Sequence, residues 1–109
     1  MQVATKDNFD QVTQGPLVWV DFWAPWCGPC KALAPELAAL EKDYGDKVKF
    51  VKFNVDAAQE IAERYHVMSI PSLVLFKDGV AKEKVTGVYP QPKLAKYLDQ
   101  KISEVPSLN

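Results

Sequence analysis

The chain has 109 residues, of which 48% are hydrophobic and 25% charged, a length and balance that suit one globular domain spanning residues 1–109 with a true apolar core. Thirteen Lys and Arg against 14 Asp and Glu leave a net charge of −1, so there is no basic field to draw nucleic acid or anionic lipid. No apolar run approaches the roughly 18 to 20 residues of a membrane span, and no basic, then apolar, secretory leader opens the chain, which reads as cytoplasmic.

In chain order, residues 5–12 read as a short first helix. Residues 17–23, Leu-Val-Trp-Val-Asp-Phe-Trp, follow the Gly15-Pro16 break and are apolar on both faces except for Asp21, the pattern of a central buried strand. Leu33, Leu37, Leu40 and Tyr44 then recur at helical spacing up to Gly45. This predicts a helix that starts near Cys27 or Pro29 and bends near Pro35, which lacks a backbone donor. A second β-branched run at 48–55 completes a strand-helix-strand unit, predicting a parallel pair with a right-handed crossover. Asp56 is placed to cap a short helix carrying Ile61, Ala62 and Tyr65, with Gln59 returning the contact. Lys77-Asp78-Gly79 between two apolar runs marks an antiparallel hairpin. Pro92 opens a last helix with the stripe Leu94, Leu98 and Ile102, and residues 105–109 read as a loose tail. The predicted fold class is α/β, a central mixed β-sheet flanked by helices on both faces.

Cys27 and Cys30 are the only cysteines. As a staple they would be poorly placed, because a disulfide's entropic stabilisation grows with the loop it closes, from about 3 kcal/mol at 15 residues to about 4.7 at 100. As half of a zinc site they lack company, since His66 is the only histidine. At the junction of a buried strand and a helix, Cys27 meets unpaired backbone donors and the helix dipole, both of which stabilise a thiolate. The Gly-Pro between the cysteines and the helix start are expected to expose at least Cys27. Asp21, an acid in an apolar strand, should be desolvated, with its pKa raised into a range useful for proton transfer. Lys52 interrupts the next strand and could bring its ammonium near Asp21.

Trp23-Ala24-Pro25-Trp26-Cys27-Gly28-Pro29-Cys30-Lys31 resembles the active-site signature of thioredoxins. The likeness continues through Val20-Asp21-Phe22, Pro35, Lys52-Phe53-Asn54-Val55-Asp56, Ile70-Pro71-Ser72, Phe76-Lys77-Asp78-Gly79 and Gly87. It implies the thioredoxin fold and a general protein disulfide reductase. Cys27 would be the attacking thiol, Cys30 the resolving thiol with which it forms the redox-active disulfide, Asp21 the proton acceptor for Cys30, and Lys52 a tuning cation. Pro71 would be a cis proline facing the dithiol, and Trp26, Gly28, Pro29, Ile70, Gly87 and Val88 a client-docking patch. With a thiol pKa of about 7, the value characteristic of thioredoxins, thiolate at neutral pH rises roughly fifteen-fold while nucleophilicity falls about five-fold, so most of the rate must come from positioning.

The resemblance further implies a monomer with no bound cofactor and no metal. Its reducing equivalents would come from NADPH through a thioredoxin reductase, and its partners would be disulfide-containing client proteins. Trp23 is expected to pack beneath the active-site turn, and His66 to lie at a helix end without chemistry. Met68-Ser69 stands where many thioredoxins carry a basic residue and then Gly or Ser, and Val88-Tyr89-Pro90 where smaller residues are common. These departures bear on partner preference rather than on the reaction. The alternatives are an oxidase or isomerase of the same fold, whose members more often carry His between the cysteines, and a non-enzymatic docking module.

Overall fold

The computed structural model describes residues 1–108. Its five strands are β1 (Gln2–Val3), β2 (Val18–Trp23), β3 (Lys49–Asn54), β4 (Ser72–Lys77) and β5 (Val80–Thr86), joined in one sheet of order β1-β3-β2-β4-β5. Strands β1, β3 and β2 run parallel, whereas β4 is antiparallel to β2 and β5 to β4. The helices are α1 (Phe9–Val12), α2 (Gly28–Tyr44), α3 (Gln59–Arg64) and α4 (Gln91–Ser103).

The period of two along β2 divides the core into two layers. Val18, Val20 and Phe22 face Phe9 of α1 and Ile61 of α3, where Phe9 meets Phe53 edge-on at 5.3 Å. Trp19 faces the other way, among Leu33, Leu37 and Leu40 of α2 and Leu94, Leu98 and Ile102 of α4. The mixed sheet with helices on both faces is therefore the expected one, and Asp21 and Trp23 share the face of Trp19, towards α2.

The turn between β4 and β5 is Asp78-Gly79, with φ of 52° and 81°. Two positive φ values in a two-residue loop match the right-handed twist of the flanking strands, which is why the sequence signal is so local.

Three expectations need correction, and one short strand is additional to them. The first helix covers Phe9–Val12 instead of 5–12. Thr5 and Asn8 tie each other's backbone through their side chains, Asn8 Oδ1 accepting from Thr5 N–H at 2.6 Å and Thr5 Oγ1 from Asn8 N–H at 3.2 Å, and hold a turn there. Asp56 does not cap α3: Asn54 accepts its N–H at 2.9 Å in a 3₁₀ turn, Val55–Ala57, and Ala58 precedes the helix with no side-chain cap, so Gln59 has no capping contact to return. The tail is not loose, because Val105 is buried against α4's layer and Pro106–Leu108 form a further 3₁₀ turn, while Asn109 lies outside the described residues. The strand Gln2–Val3 was not anticipated at all.

Candidate active site

Cys27 is the N-cap of α2 and has an extended backbone, and its sulfur accepts the N–H of Cys30 at 3.2 Å. An N-cap side chain usually supplies oxygen for this bond; here sulfur takes that place, next to the positive end of a 17-residue helix. Pro29 loses nothing in the first turn, where its missing N–H would have had no helical partner. The chain is led into this turn by the Cys27 N–H donating to Ala24 O at 3.1 Å. The two cysteines are joined in a disulfide.

Both cysteines are buried as whole residues, Cys27 at 4% and Cys30 at 6% exposure. The expectation of an exposed Cys27 is thus corrected: Ala24, Trp23, Val55 and Ile70 close around the pair. What separates the two sulfurs is position. Cys27 Sγ lies 3.8 Å from the carbonyl oxygen of Ile70, the residue before Pro71. Cys30 lines a cavity of about 360 Å³ between α2 and the sheet, shared with Asp21, Trp23, Leu37 and Lys52 and open to solvent beside Lys31 and Ala34.

Asp21 is buried, and its Oδ1 has no hydrogen-bond partner. Trp19 Nε1 is the only other such side-chain atom among the described residues. Burial raises its pKa to about 7, against the smaller, opposing attraction of the Lys52 ammonium. Lys52 is Asp21's register partner on β3, and Leu73 its partner on β4. Lys52 does not, however, close a direct ion pair; its Nζ stands 5.2 Å from the ring centroid of Trp23. Trp23 packs against the cluster of Ala24, Cys27 and Cys30, in keeping with the expected packing at the active-site turn.

The Ile70–Pro71 peptide bond is cis, as the resemblance implied. Pro71 O accepts the Gly87 N–H at 3.0 Å, which brings the start of β4 and the end of β5 to the same edge as the dithiol. Gly87 has φ of 110°, a conformation that L side chains rarely adopt. Gly28 and Pro29 are exposed beside the dithiol, Val88 follows Gly87 into solvent, and Trp26 is 69% exposed. Sequence reasoning missed the partner of Trp26, whose Nε1–H donates to the Asp56 carboxylate at 3.1 and 3.3 Å and anchors the exposed indole of the residue next to Cys27. The residues that it joins are 30 positions apart, so no local pattern could signal the contact.

His66 sits at the end of α3 with φ of 57°. Its N–H donates to Glu63 O, and the Val67 N–H reaches back to Ala62 O, a Schellman ending with His where Gly is usual. The Lys84 ammonium donates to His66 O. Among the described residues no group of three or more His, Cys, Asp or Glu is disposed to hold a metal, and no helix is long and apolar enough to cross a membrane.

The thioredoxin family model matches residues 1–100. The chain is 47% identical over 96 residues to a thioredoxin of Staphylococcus haemolyticus, covering 88% of this chain and 92% of that one. It is 46% identical over 97 residues to a thioredoxin of Bacillus subtilis, covering 89% and 93%. Among solved structures, the thioredoxin of Malassezia sympodialis superposes with a TM-score of 0.83 at 39% identity, covering 92% of this chain and 89% of that one.

Proposed function

The chain belongs to the thioredoxin family and is a protein disulfide reductase; from that premise we propose that Cys27 is the attacking thiol, Cys30 the resolving thiol and Asp21 the base that serves it. The carrying observation is the asymmetry of the two sulfurs about one turn of helix. Cys27 Sγ takes the N–H of Cys30 beside the Ile70 carbonyl, while Cys30 opens on the cavity that holds Asp21.

In the reduced protein, the Cys27 thiolate attacks one sulfur of a client disulfide. The client S–S bond breaks, a mixed disulfide forms on Cys27, and the first client thiolate leaves. Cys30 then gives its proton to the Asp21 carboxylate and attacks Cys27 Sγ. The second client thiol departs with that proton, leaving the Cys27–Cys30 disulfide, so two electrons pass from the dithiol to the client. Lys52 is a tuning cation in this reading. An extended client segment lies against Trp26, Gly28, Pro29, Ile70, Gly87 and Val88, where the backbone before Pro71 offers strand-like pairing.

A thioredoxin reductase drawing on NADPH restores the dithiol, and the cycle operates in the cytoplasm, where thiols are kept reduced. The protein itself acts as a monomer without a bound cofactor. The test is trapping: Cys30→Ser should hold clients on Cys27 as mixed disulfides resolvable by mass spectrometry. Clients held on Cys30 in the Cys27→Ser protein instead would exchange the two roles.

A further inference from the structure

Met68 is 92% exposed, the most solvent-accessible large apolar side chain among the described residues, against 39% for Met1. A lone exposed apolar residue is ordinary, but this one lines a groove of about 430 Å³ between α3 and the segment leading to Pro71, shared with Trp26, Val67 and Ile70. Ile70, which lines the groove, also neighbours the dithiol, its carbonyl oxygen lying 3.8 Å from Cys27 Sγ. The segment is held at both ends: Val67 N–H donates to Ala62 O at 2.9 Å, and Ser72 Oγ–H donates to Ser69 O at 2.7 Å. Met68 is therefore presented at a fixed place beside the approach to the disulfide. Its side chain contributes almost no buried area to the fold, and its flexible thioether suits varied apolar partners.

We propose that Met68 is a peroxide-sensitive modification site on the client-docking face, and that its oxidation to the sulfoxide selectively weakens the handling of protein clients. The inference rests on the docking face assigned above. In the step, the thioether sulfur attacks a hydroperoxide, the O–O bond breaks, one oxygen becomes the sulfoxide, and the other leaves as an alcohol or water after taking up the proton. The sulfur loses two electrons and the peroxide gains them. When Cys27 and Cys30 are joined, neither is a thiolate, so a peroxide meets the two thioethers, of which Met68 is far more exposed than Met1. The product is polar and chiral where an apolar client side chain would rest.

The test treats the disulfide form with hydrogen peroxide, maps sulfoxides by peptide mass, and then reduces the dithiol with dithiothreitol, which leaves sulfoxides in place. Met68 should oxidise at close to the rate of free methionine and faster than Met1. Insulin reduction should then fall about four-fold, the factor for losing roughly one methylene's worth of apolar contact. Reaction with a small aromatic disulfide should not change, Met68→Leu should abolish the sensitivity to peroxide, and Met68→Gln should show the loss without peroxide. Sparing of Met68 relative to Met1 would overturn the modification site. Ile70→Ser separates the two readings. If it slows insulin reduction and the sulfoxide does not, this inference falls alone; if neither change affects insulin, the docking face falls with it.

Discussion

Asp21 and Lys52 are register partners on adjacent parallel strands, yet the Lys52 ammonium stands over the Trp23 ring and leaves Asp21 Oδ1 unpartnered beside the cavity that Cys30 lines. A buried acid without a partner costs the fold stability whenever it is ionised. The same acid, held near neutrality, can take and return a proton at physiological pH.

The cost should appear as a pH-dependent stability. The folded pKa of Asp21 is raised from 3.8 to about 7, so between those values the folded state binds the proton that the unfolded state has released. Stability therefore falls as pH rises from about 4 to about 7 and levels off above, by up to about 4 kcal/mol. Asp21→Asn should remove that slope and make the disulfide form more stable than wild type at pH 8 by several kcal/mol, on the order of 2–4. Urea unfolding of both proteins at pH 4 and pH 8 checks it; parallel pH profiles would show that Asp21 is not buried as an acid.

The benefit should appear in resolution kinetics. A thiol of ordinary pKa, about 8.5, is already about 3% thiolate at pH 7, so a base can speed the Cys30 attack by at most about thirty-fold. We expect Asp21→Asn to slow release of client from a preformed mixed disulfide by about tenfold at pH 7, with the wild-type rate following a pKa near 7 and the variant's rate losing that inflection. Formation of the mixed disulfide should change far less. Stopped-flow single turnovers resolve the two steps, and equal rates of release in both proteins would leave Asp21 a structural group.

Lys52 acts on this acid through space, and its charge opposes the effect of burial. Lys52→Met keeps an unbranched apolar stem, one atom shorter, but deletes the charge that stands over Trp23. The Asp21 pKa should rise by about one further pH unit, moving the resolution profile the same way. Carbon-13 titration of the Asp21 carboxyl measures it. A fall on removing the cation would mean that Lys52 works by shielding Asp21 from water.

Much of this site was legible because the decisive signals are local or strongly patterned. An acid inside an apolar strand, Cys-Gly-Pro-Cys at a strand-to-helix junction, and Asp78-Gly79 between two apolar runs each carry their own physical reason. What escaped depends on distant residues or on competition between neighbours. Gln2–Val3 is a two-residue strand, both residues exposed, and it exists because β3 offers an open edge, which no alternation in those residues could announce. Asp56 looked like a cap because it is an acid just before a helix. It lies instead inside the 3₁₀ turn that Asn54 caps, two residues before Ala58 at the N-cap of α3, and its carboxylate accepts from Trp26 across 30 positions. The burial of Cys27 likewise comes from Val55 and Ile70, far along the chain, packing over a turn that in isolation would be open.

The end of α3 offers a test of backbone strain away from the chemistry. His66 holds φ of 57° so that His66 and Val67 can both return hydrogen bonds to the helix. For a residue with a Cβ this conformation costs about 1 kcal/mol or more, and for a β-branched residue it is steeper still. Glycine removes that cost but gives the unfolded chain more freedom, an offset of about 0.4–1 kcal/mol. His66→Gly should therefore leave stability unchanged or raise it by up to about 1 kcal/mol, while His66→Val should lower it by about 2. Because His66 takes no part in the proposed reaction, insulin reduction by either folded variant should match wild type. Urea midpoints rank the three proteins, and a Val variant as stable as the Gly variant would show that the positive φ is not required to end this helix.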